Sequence, residues 1–311
     1  MKLAMVFPGQ GSQAMGMMDG WGDHPAVRAT FEEASVVLGQ DLWTLVADGP
    51  ADALNFTTNT QPVMLTAGIA AWRAWNAAGG PAPVLLAGHS LGEYTALVAA
   101  GALDFRDAVP LVRFRAQAMQ DAVPAGVGAM AAIMGADDDA VIAACAEAAQ
   151  GQVVEPVNFN APGQLVIAGH REAVERAIAV ARTKGAKRGV LLPVSAPFHS
   201  SLLRPAAERL AAQLADVTIR APNIPVLHNV DVLMHATPVS IRHALAQQAA
   251  HPVRWTATMQ AMGAQGITHV VECGPGKVLA GLAKRSINGV QAYSLTDGEA
   301  LAATLAELAV A

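Results

Sequence analysis

The stretch Val84-Leu85-Leu86-Ala87-Gly88-His89-Ser90-Leu91-Gly92-Glu93-Tyr94 constrains this chain more than any other. Four apolar residues run into Gly-x-Ser-x-Gly, and an Ala-rich, helix-forming run follows as far as Ala100. That order predicts a strand, a turn too tight for side chains at its flanks, and a helix. A serine at the apex of such a turn projects from a rigid scaffold. Its hydroxyl lies at the positive end of the next helix, where free N–H groups can hold a developing oxyanion. Ser90 is therefore the candidate nucleophile. The plainer alternative is a Gly-rich strand–helix turn with Ser90 as a helix cap.

The flanking chain supplies the rest of an α/β core. Leu3–Phe7 reads as a buried strand, followed by the loop Pro8-Gly9-Gln10-Gly11-Ser12-Gln13. This loop lacks the lysine and spacing of a P-loop and is no dinucleotide fingerprint, so a nucleotide site is not expected. Pro25–Leu38 has a helical pattern, and Gln61-Pro62 opens a long Ala-rich helix through Trp75, proline being tolerated in a first turn. A helix over 105–119 carries Arg106, Arg113 and Arg115. Such arginines either lie at the surface with packed stems, or one of them points into a cleft.

Composition shifts at Pro124-Ala125-Gly126-Val127-Gly128. Strands are predicted over 129–134, 153–158, 165–168 and 189–194, a turn over 160–164, and helices over 137–149 and 171–184. This β-α-β-β-α-β order is the split pattern of a ferredoxin-like module. The main chain resumes with a helix over 201–214, strands over 225–230 and 268–272, a helix after Gly274-Pro275-Gly276-Lys277, an edge strand over 292–295 and a helix from Gly298. The expected fold class is α/β: a hydrolase-like core with a parallel sheet, formed by 1–124 and 196–311, carrying the elbow. Residues 125–195 form an inserted, smaller ferredoxin-like domain that lines the cleft.

A chain that is 53% apolar and 14% charged can bury a large core and has no composition typical of disorder. A net charge of -5 gives no overall attraction to nucleic acid. Cys145 and Cys273 lie in no paired metal spacing and form no disulfide framework, so no metal is expected and a cytoplasmic setting fits. The first apolar run reaches Pro8-Gly9 too early for a signal peptide, and no stretch reads as a membrane span.

A serine nucleophile needs a base. Of nine histidines, His89 adjoins the serine but leaves the turn in another direction. His199 stands out, in the polar break Ser195-Ala196-Pro197-Phe198-His199-Ser200 at the return junction, where an active cleft belongs. The usual order of a hydrolase triad places an acid between serine and histidine. Acids there fall mostly in the apparent insertion, such as Asp137, Glu147 and Glu155, and none follows a main-sheet strand convincingly. A dyad is expected, with the imidazole oriented by a neutral group such as a backbone carbonyl.

These residues together resemble the malonyl-CoA:acyl carrier protein transacylases of bacterial type II fatty acid synthesis. The resemblance covers essentially the whole chain. It rests on 6–13, Gln61-Pro62, the Gly88-His89-Ser90-Leu91-Gly92-Glu93 elbow, 115–120, 158–164, Ala196-Pro197-Phe198-His199-Ser200 and 272–279, all in family order. It implies a malonyl ester on Ser90, with His199 as general base and acid and the backbone carbonyl of Gln248 orienting it. It implies Gln10 and Leu91 as oxyanion-hole donors, Arg115 as partner of the free malonyl carboxylate, and His89, Met119 and Asn160 lining the pocket. Phe198, just before the histidine, implies malonyl over the branched methylmalonyl by its bulk. The reaction implied is ping-pong transfer from malonyl-CoA to the phosphopantetheine thiol of acyl carrier protein, with no cofactor.

Carriers of this kind are acidic, so docking on a mildly acidic chain needs a local basic patch. Arg182, Lys184, Lys187 and Arg188, or Lys277, Lys284 and Arg285, are candidates. A monomer is expected. The neighbouring alternatives are the malonyl transferase subunit of malonate decarboxylase and an in-trans polyketide acyltransferase, which differ in the carrier. A thioesterase or lipase would use the same serine with water as acceptor and would favour an acid between Ser90 and His199. A non-enzymatic carrier-binding protein would form no acyl-enzyme at all.

Overall fold

The structure, a computed structural model, describes residues 1–310. Its strands are, in chain order, β1 (Leu3–Phe7), β2 (Leu85–Gly88), β3 (Gly128–Met134), β4 (Val154–Ala161), β5 (Gln164–His170), β6 (Arg188–Leu191), β7 (Val226–Leu227), β8 (His269–Cys273) and β9 (Gln291–Leu295). They form two sheets. The first has the order β7-β2-β1-β8-β9 with every pairing parallel. A parallel sheet has helices on both faces, and β1 is accordingly buried along its whole length. Met5, Phe7 and Leu86 pack into one core with the helices that follow β1, while Ala4, Val6, Leu85 and Ala87 pack into another with Trp255 and Met259. The fold is thus α/β with a parallel main sheet, and the elbow follows β2, which lies between the central β1 and the edge strand β7.

The second sheet is antiparallel, in the order β4-β5-β3-β6. This is the pairing that a split β-α-β-β-α-β unit produces. Alternation along β3 sorts its side chains. Ala129, Ala131 and Ile133 join Val141 and Val174 of the two covering helices. Met130 goes the other way, into a cluster with Met119 and Phe198. Backbone bonds tie the two sheets' supports together: Phe159 N–H donates to Val253 O at 3.0 Å, and Val253 N–H to Val157 O at 2.8 Å.

Several boundaries differ from the sequence pattern. The long helix starts at Thr57 and ends at Ala77, so Pro62 lies inside it and not at its opening. The Thr58 carbonyl, which the ring of Pro62 deprives of its helical donor, accepts instead from Arg113 Nε at 3.2 Å. A short helix, Ala51–Asn55, precedes it. Asn160 and Ala161 belong to β4, leaving only Pro162 and Gly163 as the turn. The segment after His199 begins as a 3-10 turn, Ser201–Leu203, before the helix Arg204–Ala215. β7 keeps only two residues. Among the described residues no helix is long and apolar enough to cross a membrane.

Candidate active site

Steric exclusion makes the elbow. A Cβ on Gly92 would lie 2.0 Å from Phe7 O, and one on Gly88 would lie 1.8 Å from Gly92 O, so β1, β2 and the next helix approach as only glycines allow. Ser90 at the apex has φ 53°, a left-handed conformation that a non-glycine residue holds at a cost. Its own N–H is spoken for, donating to Asn229 Oδ1 at 2.7 Å. The loop after β1 comes close, since a Cβ on Gly9 would meet His89 O at 2.5 Å. That approach brings Gln10 to the same cavity wall as Leu91 and Ser90.

His199 Nε2 lies 2.7 Å from Ser90 Oγ. On the far side of the ring, Nδ1–H donates to the backbone carbonyl of Gln248 at 2.8 Å. That bond places the proton on Nδ1 and leaves the Nε2 lone pair facing the hydroxyl. Burial, and then the positive charge of Arg115, push the imidazole down to about 3. The ring is therefore neutral at rest and able to accept a proton. His199 also has a left-handed backbone, φ 66°. The turn behind it is held from the second sheet, where the Glu155 carboxylate accepts from Ser201 N–H and Ser201 Oγ–H, both at 2.7 Å.

Of the three arginines on the helix Phe105–Asp121, Arg106 is exposed and Arg113 caps Thr58. Arg115 alone is turned inward and is 1% exposed. Nη1 donates to Gln61 Oε1 at 2.7 Å, and Nη2 to Gln248 Oε1 at 2.8 Å and to Ser90 Oγ at 3.1 Å. Its guanidinium also lies over the Tyr94 ring, 5.3 Å from the centroid. Burial lowers its pKa, and Tyr94 and Glu93 act against that fall. No carboxylate pairs with it directly among the described residues. A buried guanidinium held only by neutral groups beside the candidate nucleophile suits an incoming carboxylate.

These groups open on a cavity of about 570 Å³. Met119 and Phe198 line it from the main-sheet side, and Met130, Leu192, Pro193 and Val194 from the second sheet and the chain leaving β6. His89 also lines it, with Nε2–H donating to Asn160 Oδ1 at 2.8 Å, and burial lowers the pKa of its ring. Asn160 reaches the cavity through that bond to His89, and Asn158 also lines the wall.

Sequence reasoning gave no role to four further polar residues. Gln61 holds Arg115 from the side opposite Gln248 and bonds Thr57, which in turn donates to Gln10 Oε1. Glu93, His228 and Asn229 form a fully buried cluster beneath the elbow. The available signal was a run of polar residues where apolar ones belong: Gln61 in an Ala-rich helix, and His228-Asn229 at the end of a core strand.

The chain from residue 4 to 298 matches the family model described as the acyl transferase domain. A malonyl CoA-acyl carrier protein transacylase of Escherichia coli (strain K12) is 55% identical over 98% of this chain and 99% of its own length. The chain belongs to the malonyl-CoA:acyl carrier protein transacylase family. A solved acyl-carrier-protein S-malonyltransferase from Burkholderia pseudomallei 1710b is 60% identical, covering 98% of this chain and 100% of its own, with a TM-score of 0.97. Another family member, a malonyl-transacylase solved in complex with its type II PKS acyl-carrier protein, is 50% identical over 99% of this chain and 100% of its own, also with a TM-score of 0.97.

Proposed function

We propose that this chain transfers the malonyl group from malonyl-CoA to the phosphopantetheine thiol of acyl carrier protein through a malonyl ester on Ser90. The observation that carries this is Arg115: a buried guanidinium with no directly paired carboxylate among the described residues, 3.1 Å from the hydroxyl that attacks. Ser90 Oγ gives its proton to His199 Nε2 and bonds to the thioester carbon. The oxyanion is held by the N–H groups of Gln10 and Leu91. The C–S bond breaks, and His199 returns the proton to the CoA thiolate. The carrier thiol then repeats the sequence: its proton goes to His199, its sulfur bonds to the ester carbon, and Ser90 leaves with the proton.

Arg115 takes the distal carboxylate in exchange for Ser90 Oγ, the longest of its three bonds. It thereby orients the carbonyl and rejects acyl groups without a carboxylate. Gln248 keeps His199 in the basic tautomer through its backbone carbonyl. Met119, Phe198 and His89 shape the pocket, with Asn160 holding His89, and Phe198 excludes a methyl branch at the malonyl carbon. The chemistry needs no cofactor beyond its two thiols. Residues 125–195 act as a distinct domain whose sheet closes the cleft over 1–124 and 196–311, and the enzyme works as a cytoplasmic monomer. The carrier docks where Arg188, exposed on β6, leads into the cavity-lining Leu192, Pro193 and Val194. Lys184 and Arg285 are less free, being engaged by Glu147 and by Gln164 and Pro162.

Intact-protein mass spectrometry tests this. Malonyl-CoA should add one malonyl group to the enzyme, absent in Ser90→Ala, and holo acyl carrier protein should remove it and gain it. An adduct that leaves only to water would make the chain a hydrolase, and an adduct that persists in Ser90→Ala would remove Ser90 from the reaction.

A further inference from the structure

Glu93 follows the elbow directly and is fully buried. Its carboxylate accepts from His228 Nδ1–H at 2.7 Å, Asn229 N–H at 2.9 Å and Gln248 Nε2–H at 3.0 Å. The other end of that same Gln248 amide accepts from Arg115 Nη2 at 2.8 Å. The amide dipole therefore lies between an anion and a cation, its N–H end on Glu93 and its carbonyl end on Arg115. Gln248 Nε2 also donates to Ser90 O at 2.9 Å, and the Gln248 backbone carbonyl holds His199. One side chain thus touches the nucleophile's backbone and the substrate-facing cation, its backbone orients the base, and a buried carboxylate fixes it from behind.

We propose that Glu93 is a positioning residue of the transacylation site and the remote counter-charge of Arg115. The proposal rests on the roles given above to Ser90, His199 and Arg115. A buried cation needs a compensating anion. A carboxylate in direct contact would occupy the guanidinium and compete with the acyl group for it. Set one amide away, Glu93 balances the charge yet leaves the inner edge of Arg115 open. When a malonyl carboxylate arrives, two anions face one cation. Glu93 then opposes ground-state binding of the substrate while holding Gln248, and through it His199, in the reactive arrangement.

This gives a signed test, read by single-turnover acylation of the enzyme at varied malonyl-CoA and acetyl-CoA. Glu93→Gln should lower the maximal acylation rate by about tenfold or more, as expected for a displaced base. Its half-saturating malonyl-CoA should fall, while that for acetyl-CoA, which carries no distal carboxylate, should stay unchanged. Glu93→Asp keeps the charge on a shorter stem, so its rate should drop without the fall in half-saturation. A structural residue alone would weaken both substrates together. An unchanged acylation rate in Glu93→Gln, or half-saturation rising equally for both substrates, would overturn the proposal. If Glu93→Gln does not fold, Gln248→Met cuts the amide bridge and keeps the backbone carbonyl. It should show the same loss of rate with no rise in half-saturating malonyl-CoA, and a rise with the rate preserved would overturn the proposal. The wild type separates the two levels. Without a malonyl adduct on its Ser90 the site assignment itself falls, whereas an adduct there leaves Glu93 alone on trial.

Discussion

Arg115 and His199 sit in one electrostatic arrangement, and their neighbours decide what each does. Arg115→Ala removes the cation that bonds the cavity-side hydroxyl. Charged hydrogen bonds of this kind contribute about 1.5–3 kcal/mol, so malonyl-CoA acylation should fall by roughly tenfold to a hundredfold. Acetyl-CoA acylation should change far less, and equal losses on both substrates would refute the carboxylate role. His199 makes a second prediction through its charge state. Burial holds its pKa at about 3, below its ordinary value, so the reactive neutral form persists as pH falls through 6.5. The kcat/KM for malonyl-CoA should therefore show no acid limb between pH 5 and 7. A limb centred near 6.5 would mean that the ring is solvated and protonated like a free imidazole.

At the scale of elements, the helix Thr57–Ala77 shows how a defect is repaired from a neighbour. Pro62 strips the Thr58 carbonyl of its donor and Arg113 supplies another. Arg113→Ala should cost about 1 kcal/mol in denaturant unfolding, and distinctly less in a Pro62→Ala background, where residue 62 regains an N–H. Additive losses would show that Arg113 does not serve that carbonyl. The same helix marks what a sequence can reveal. Its start was not legible because a proline reads as a first turn unless a distant arginine is known to complete it. The elbow was legible because its constraint is local, two glycines around one serine. His199 was legible from its place at a junction. Glu93, His228 and Asn229 were not, since their meaning lies in bonds across more than a hundred residues, made where β7 ends after two residues. The second sheet's β-α-β-β-α-β order could be read along the chain, but its alignment against Val253 could not.

For the whole molecule, the cleft depends on contacts that run from one sheet's support to the other's. Glu155 on β4 holds the turn that carries His199, although it takes no part in the chemistry. Glu155→Ala would leave Ser201 N–H without its acceptor and loosen that turn. Its kcat should fall by about tenfold, as for a small misplacement of a reacting group. Glu155→Gln should stay within a few-fold of wild type by comparison, because the Ser201 hydroxyl can turn from donor to acceptor and meet the new amide N–H. Equal kcat in Glu155→Ala and wild type would show that the turn holds itself.

Ser90 has a left-handed backbone, φ 53°, that glycine would occupy with less strain. On the proposed role of Ser90, durability and turnover therefore pull against each other at this position. A descendant of this chain released from its reaction would gain from glycine at 90 while its core still selected against change.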